Sequence, residues 1–315
     1  LISLPCAIRV GFSIYKEFTM IKGLAITPPV VGRISIGKVV ERNGRRLPEK
    51  DDQFTITTQV QNKDGWVLHP LDKAIRTATD GKIWAIPIQL MFNDTDLNLR
   101  AEYSLFERDT GRLVCVGNGE TCKRVTSEGM KSLTCPTPGA CEYGGKAGCK
   151  PYGRLNVLID AQEDAFGSFI FRTTGFNSIR TLAARLSYFK AVSGGLLSCL
   201  PLTMKLRGKS TTQSHRAPVY YVDITTRDGM KLEDAITEAR ALHETRQSVG
   251  FNQDALELAA REGFQNGAFE ETEDEIPDVL EEFFPEEGAE GGGTVSKAKS
   301  TGKQSLQQKL DSKTI

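Results

Sequence analysis

The chain has 315 residues, 39% of them apolar and 25% charged, and its 40 Lys and Arg balance 40 Asp and Glu to a formal net charge of zero. That length buries a sizeable core in one large domain or two smaller ones, and the composition is that of an ordinary soluble protein, which excludes a membrane-spanning or wholly disordered chain. Five of the seven cysteines lie between Cys115 and Cys149, with Cys6 and Cys199 outside; such clustering suits a metal site better than a distributed disulfide framework and reads as cytoplasmic.

Leu1 to Thr19 is moderately apolar but is broken by Arg9, Lys16 and Glu17 and lacks a basic start. It reads as a poor signal peptide, too short and too charged to span a bilayer. Met20 opens an ordinary domain start, so residues 1–19 read as an upstream leader added by a misplaced start, the alternative being a real N-terminal strand. Residues 20–227 read as a strand-rich core. Arg33-Ile-Ser-Ile-Gly37 alternates, Asn43-Gly44 marks a turn, Phe54 to Val60 is rich in β-branched residues, and Ile83 to Phe92 is a long apolar run in which Pro87 signals an edge or a bulge. Leu97 to Glu107 and Leu113 to Val116 flank Asp109-Thr-Gly111 as a hairpin, and Arg154 to Ile159 and Ser168 to Thr174 read as further strands. Pieces this short and closely spaced predict an antiparallel sheet.

Helices come late. Asn177 or Ser178 is expected to cap a helix that buries Ile179, Leu182, Ala183, Leu186 and Phe189 and ends at Gly194-Gly195. Leu200 to Leu206 and Val219 to Thr225 follow as strands. Residues 228–262 read as a helical segment holding two surface helices, Leu232 to Arg246 and Gln253 to Arg261. Residues 263–315 read as a disordered tail, first acidic and then rich in Lys, Ser and Gln. The expected class is therefore α+β: an antiparallel strand-rich core with an inserted cysteine knuckle, C-terminal helices and a tail.

The knuckle, set within residues 115–155, is the strongest chemical signal. Cys135, Cys141 and Cys149 are separated by Gly- and Pro-rich stretches that let the backbone wrap one ion, and Cys122 completes a C-x12-C-x5-C-x7-C pattern. Four thiolates close a tetrahedral structural zinc site with no open position for a substrate. Cys115 is the alternative to Cys122 as fourth ligand, and free cytosolic thiols without metal are the plainer reading.

Charge is unevenly spread. Glu262 to Glu290 holds twelve acids and no Lys or Arg, and Gly291 to Ile315 carries a net +4, which leaves +8 on residues 1–261. Lys150 to Arg216 holds ten Lys and Arg against three acids. Within it Lys150, Arg154, Arg172, Arg180, Arg185, Lys205, Arg207, Lys209 and Arg216 are candidates for contact with nucleic acid or a partner, and Tyr152, Phe176 and Tyr188 are candidates to stack on bases. A generic positive surface is the competing account. Ile276, Val279, Leu280, Phe283 and Phe284 interrupt the acidic run, so residues 270–284 read either as a docking motif for a protein partner or as a solvated tail.

Signals for an enzyme are weak. His69, His215 and His243 are widely separated, none lies in an HExxH motif, and no P-loop, nucleophile elbow or dinucleotide fingerprint occurs. His69, just before Pro70, reads as a loop residue. Gly144-Gly145 and Gly194-Gly195 read as turns, and Asp160, Glu163 and Asp164 as a polar loop. A metal-dependent hydrolase or nuclease and a single-stranded DNA-binding recombination mediator are the alternatives to a non-enzymatic binding factor with no small-molecule substrate.

Gly32-Arg-Ile-Ser-Ile-Gly37, Phe54-Thr-Ile-Thr, Cys115-x-Gly-x-Gly-Glu120, the Cys135/Cys141/Cys149-Lys-Pro-x-Gly-Arg-Leu155 block and Thr173-Thr-Gly-Phe-Asn-Ser178 together resemble the phage recombination directionality factor family. The likeness runs from about Gly32 to about Thr225. It implies a non-enzymatic accessory factor, phage-borne or on another mobile element, that binds a serine recombinase (integrase) on its DNA and changes which synaptic complex is favoured. In that picture the knuckle fixes a loop for protein contact.

Overall fold

The computed structural model describes residues 29–42, 45–62, 65–164, 167–210, 212, 216–266, 279–280 and 283–284. The expected leader, the Asn43-Gly44 turn, His215 and most of the expected tail lie outside them. Strand β1 (Val30–Arg42) pairs antiparallel with β2 (Arg45–Asn62). The alternating pattern opposes Ile34 to Ile56 and Ile36 to Phe54 on one face, and the register slips at Gly37, whose φ of 85° suits a bulge. A short strand, β3 (Gly65–Leu68), extends this hairpin.

A helix, α1 (Pro70–Ala78), follows in a region whose sequence reads as strands, with His69 just outside it. The His69 imidazole caps it, Nδ1 accepting from the Leu71 N–H at 3.2 Å, and Pro70 fills the first turn, where its missing N–H costs nothing. Asp72 is buried, accepting from the Ile56 N–H at 2.9 Å and from Arg76 Nε at 2.6 Å, which pins α1 to β2.

The remaining elements are β4 (Ala85–Gln89), the single-turn α2 (Thr95–Asn98), β5 (Leu99–Phe106), β6 (Leu113–Gly117), β7 (Thr121–Thr126), β8 (Gly129–Thr134), α3 (Thr137–Ala140), α4 (Glu142–Ala147), β9 (Lys150–Ile159), β10 (Ser168–Thr173) and α5 (Phe176–Val192). A 3-10 turn at Leu197–Cys199 precedes β11 (Leu202–Ser210), β12 (Pro218–Thr226), α6 (Leu232–Ser248) and α7 (Gln253–Asn266). The class is α+β. Strands run in the order β3-β2-β1-β10-β9-β5-β6-β7-β8, antiparallel throughout except for β1 beside β10.

The sheet branches at β9. One edge of β9 pairs with β10; on the other, Lys150 to Leu155 pair with β5, while Leu158 and Ile159 pair with β4. From β4 the ladder continues into β11 and β12. Pro87 is thus in an interior strand: its own position opposes Thr203 of β11, and the β9 ladder begins only at Ile88. The expected edge gives way to the place where two sheets part, which spares the missing N–H in the same way.

The main core lies between this branched sheet and α5, with Ile34, Phe54, Ile56, Val157, Phe169 and Phe171 meeting Leu182, Leu186 and Phe189. The helical stripe is as expected except that Ala183 is exposed. Neither Asn177 nor Ser178 caps α5. Gly175 holds the cap position, and the buried Ser178 hydroxyl instead accepts from the Val222 N–H at 3.1 Å, joining α5 to β12. Gly194 and Gly195, with φ of 71° and 88°, end it. Among the described residues no helix is long and apolar enough to cross a membrane.

Candidate thiol cluster and basic face

The cysteine site is assembled by strand register. Cys115 opposes Arg124 and Gly117 opposes Cys122 across β6 and β7, while Leu105 and Tyr103 of β5 oppose Cys115 and Gly117. Opposed residues share a face, so one face of three strands carries both strand thiols and Arg124. The loop from Cys135 to Cys149, entered from β8 and left into β9, folds over that face, and the Cys135 N–H donates to the Glu120 carbonyl at 2.8 Å. All five thiols line one cavity of about 20 Å³, room for a single atom-sized guest.

Two glycines let the layers close. A Cβ at Gly117 would stand 2.8 Å from Cys135 Sγ and 2.7 Å from Cys122 Cβ; one at Gly144 would stand 3.0 Å from Cys149 Cβ. Gly144 and Gly145, expected in a turn, are inside α4, where a Cβ on Gly145 would meet the Pro138 carbonyl oxygen at 2.7 Å. Small residues are required by close approach, not by a bend.

The thiols differ in their surroundings. The Gly144 N–H donates to Cys141 Sγ at 3.2 Å and Arg124 Nη2 approaches it at 3.7 Å; chiefly through the Gly144 bond, against the effect of burial, the Cys141 thiol is held below its ordinary value. Burial, then the neighbouring Cys115, Cys135 and Cys141, pushes Cys149 up to about 12. Burial and a bond with Cys115 push Cys122 up to about 11. Arg124 is raised, first by its hydrogen bond with Cys115. Among the described residues no three His, Cys, Asp or Glu groups are gathered in metal-ligand geometry. In type and number the donors nevertheless fit zinc, whose charge deprotonates the thiols that coordinate it.

The basic candidates separate into two groups. Arg172, Arg154 and Arg100 stand opposite one another across β10, β9 and β5, with Glu102 2.9 Å from Arg154 and 3.6 Å from Arg100. Arg154 and Arg172 are buried, which removes them from the expected contact surface. Tyr152 is fully buried beneath Phe283. Lys150 Nζ donates to the Phe283 carbonyl at 2.6 Å.

Alternation along β11 places Lys205, Arg207 and Lys209 on one face, away from the buried Met204. Tyr221 and Asp223 oppose Arg207 and Lys205 from β12. Asp223 receives both Arg207 Nε at 2.7 Å and Arg185 Nε at 2.8 Å, and Lys209 donates to Asn177 at 2.8 Å, bringing the start of α5 alongside. Lys209 lies 5.8 Å above the Tyr221 ring and Lys205 5.7 Å above Trp84; Lys205 also pairs with Asp228. Phe176, Arg180, Tyr188 and Arg216 are exposed. Trp84 and Tyr221 were missed in the sequence, because only the cross-strand register sets them among the cations.

Among the remaining candidates, Asp160 pairs with Arg227 at 2.5 Å. Cys199 is buried in the main core, with Arg246 Nη1 3.5 Å from its sulfur. Val279 and Phe283, expected in a disordered tail, are fully buried against Phe106 and Tyr152.

The thiol cluster thus lies on the β5–β7 face under the 135–149 loop, and the cations and rings lie on β11 and β12. A family model described as Gp3-like, recombination directionality factor-like, matches residues 31–227. That span runs from β1 through β12 and includes all five clustered cysteines, and the chain belongs to this family. No curated protein and no solved structure matches the chain.

Proposed function

We propose that the protein is a non-enzymatic, cytoplasmic accessory factor that binds a serine recombinase on its attachment-site DNA and sets whether integration or excision is favoured. Membership of the recombination directionality factor-like family over residues 31–227 carries this reading. Such a factor supplies differential binding energy and takes no small-molecule substrate; a preference of a few kcal/mol between two synaptic assemblies is enough to reverse which one dominates.

The face formed by Arg180, Arg185, Lys205, Arg207 and Lys209, with Trp84 and Tyr221, is the proposed contact for DNA or the DNA-bound recombinase, a role its charge and rings support. We propose also that one structural zinc ion joins Cys135, Cys141 and Cys149 to the strand layer. Cys115 and Cys122 both lie next to Arg124 and the loop thiols; we assign the fourth position to Cys115 because Cys122 Sγ is directed to the Thr134 carbonyl at 3.7 Å.

The test is a recombination assay scoring integration against excision, with gel shifts on single-stranded and duplex DNA, with and without recombinase. The expected result is a supershift of the recombinase–DNA complex and a change of direction. Tight binding to single strands alone would favour a mediator, for which the exposed Trp84 ring is the supporting feature. Metal-dependent cleavage of DNA by the protein alone would overturn the binding-factor reading.

A further inference from the structure

Val279 and Phe283, which come from the acidic stretch of the sequence, are seated on the protein itself. Phe106, at the end of β5, and Tyr152, on β9, meet edge to face with ring centres 5.6 Å apart, and Phe283 fits against both at 4.8 and 5.7 Å. Val279 and Phe283 are four residues apart on one side of a helical turn, closed by the Phe284 N–H donating to the Leu280 carbonyl at 2.8 Å. Leu113 and Phe284 pack at the margin. Two cations frame the seat: Lys150 Nζ holds the Phe283 carbonyl, and the Arg108 guanidinium lies 5.2 Å over the Phe284 ring.

The seated segment comes from the stretch Glu262 to Glu290, with its twelve acids and no Lys or Arg. Its apolar cluster is separate from the main core. Two anchoring side chains four residues apart, drawn from an acidic stretch of the sequence and set beside Lys150 and Arg108, match the anchor spacing of helix-in-groove recognition.

We propose that the Phe106–Tyr152 groove is a recognition site for a short acidic helix of a protein partner, bearing aliphatic and phenylalanine anchors at i, i+4 and i+5, and that Val279, Phe283 and Phe284 fill it in cis as a displaceable plug. The groove reads the partner's anchors as it reads Val279, Phe283 and Phe284, and its cations read the acidic flank. A tethered occupant is present at an effective concentration on the order of millimolar. A plug with an intrinsic dissociation constant of about 0.1 mM would then keep the site closed about ten to one and weaken an incoming helix about tenfold. The proposal does not depend on which recombinase is bound.

The test uses the full chain and a fluorescent synthetic peptide of residues 270–290 as the probe. Phe283→Asp, which unseats the plug, should bind the peptide about tenfold more tightly than the unsubstituted protein. Adding Lys150→Glu to that variant should remove most of the gain, and added salt should weaken binding. In the unsubstituted protein, saturating peptide should speed hydrogen exchange at the Phe284 amide. Equal peptide affinity with and without Phe283→Asp would overturn the proposal. So would unfolding of the Phe283→Asp protein, or a Phe284 amide whose exchange the peptide leaves unchanged, since either makes the segment a fixed part of the core. Recombination direction and zinc content, measured separately, report on the proposed function and not on the plug.

Discussion

Arg185 reaches from α5 to β12 and places its Nε 2.8 Å from Oδ1 of Asp223, a carboxylate whose side chain is only 3% exposed. Arg185 falls outside the apolar stripe of the helix, and its side chain is 43% exposed; its head group nonetheless ties helix to sheet, with Arg207 on the other carboxylate oxygen at 2.7 Å. Arg185→Glu should therefore destabilise the fold as well as alter the basic face. Setting a second carboxylate against the buried one should cost on the order of 2 kcal/mol, a discount from a fully buried pair because Arg185 is half in solvent and Arg207 remains. The shift in urea midpoint measures it.

Asp223 also predicts an acid dependence. Burial, the largest single influence, works to raise its pKa, but the hydrogen bonds and charges of Arg185 and Arg207 together hold it below the ordinary value. A depressed carboxyl stabilises the fold above its unfolded pKa of about 3.9, and that contribution is lost as pH falls through the lower folded value. Asp223→Asn should lower stability at neutral pH and flatten the urea midpoint's fall below about pH 4. An unchanged profile would show that other carboxylates govern the acid limb.

Metal analysis should return about one zinc per chain, with the ion lost on Cys135→Ser, Cys141→Ser, Cys149→Ser or Cys115→Ser, and retained on Cys122→Ser. Structural zinc supplies folding energy, so a chelator should lower the Tm of the parent protein. Loss with Cys122→Ser and retention with Cys115→Ser would reverse the assignment of the fourth ligand. Cys199→Ser should leave zinc content unchanged and cost on the order of 1 kcal/mol for the hydroxyl placed in the core.

Gly117→Ala probes the closure of the two layers. Its methyl would stand 2.8 Å from Cys135 Sγ and 2.9 Å from the Thr121 carbonyl oxygen, closer than van der Waals contact allows. Relief requires the loop to lift from the strands, at a cost of about 1–3 kcal/mol, and zinc content should fall with it. Full metal content and an unshifted Tm would show that the cavity tolerates the displacement.

On the basic face, Lys209→Glu together with Arg180→Glu should weaken association with the recombinase–DNA complex by roughly 1 kcal/mol for each reversal while leaving the urea midpoint nearly unchanged. The loss should be larger at low salt, and a shallower dependence of log affinity on log salt would mark each vanished phosphate contact. Arg154→Glu and Arg172→Glu should instead impair folding, because both side chains are buried in the sheet.

Local order in this chain was set by local pattern. Alternation at Arg33 to Gly37 marked β1, β-branched residues at Phe54 to Val60 marked β2, the stripe from Ile179 to Phe189 marked α5, and the clustered cysteines with their glycines marked the loop that closes over the strands. Even the missed α1 had its signal, Pro70 at the first turn followed by Asp72. Each of these depends on residues within one or two turns of each other, where backbone sterics and side-chain period act directly. What the tertiary structure alone decided was partnership. The parallel pairing of β1 with β10, the branching at β9, the burial of Arg154 and Arg172, the joining of Arg185 to Asp223 and the seating of Phe283 on Phe106 all couple segments far apart in sequence. A cation is a surface ligand or a buried strut according to whether a distant carboxylate reaches it, and no local periodicity records that distance.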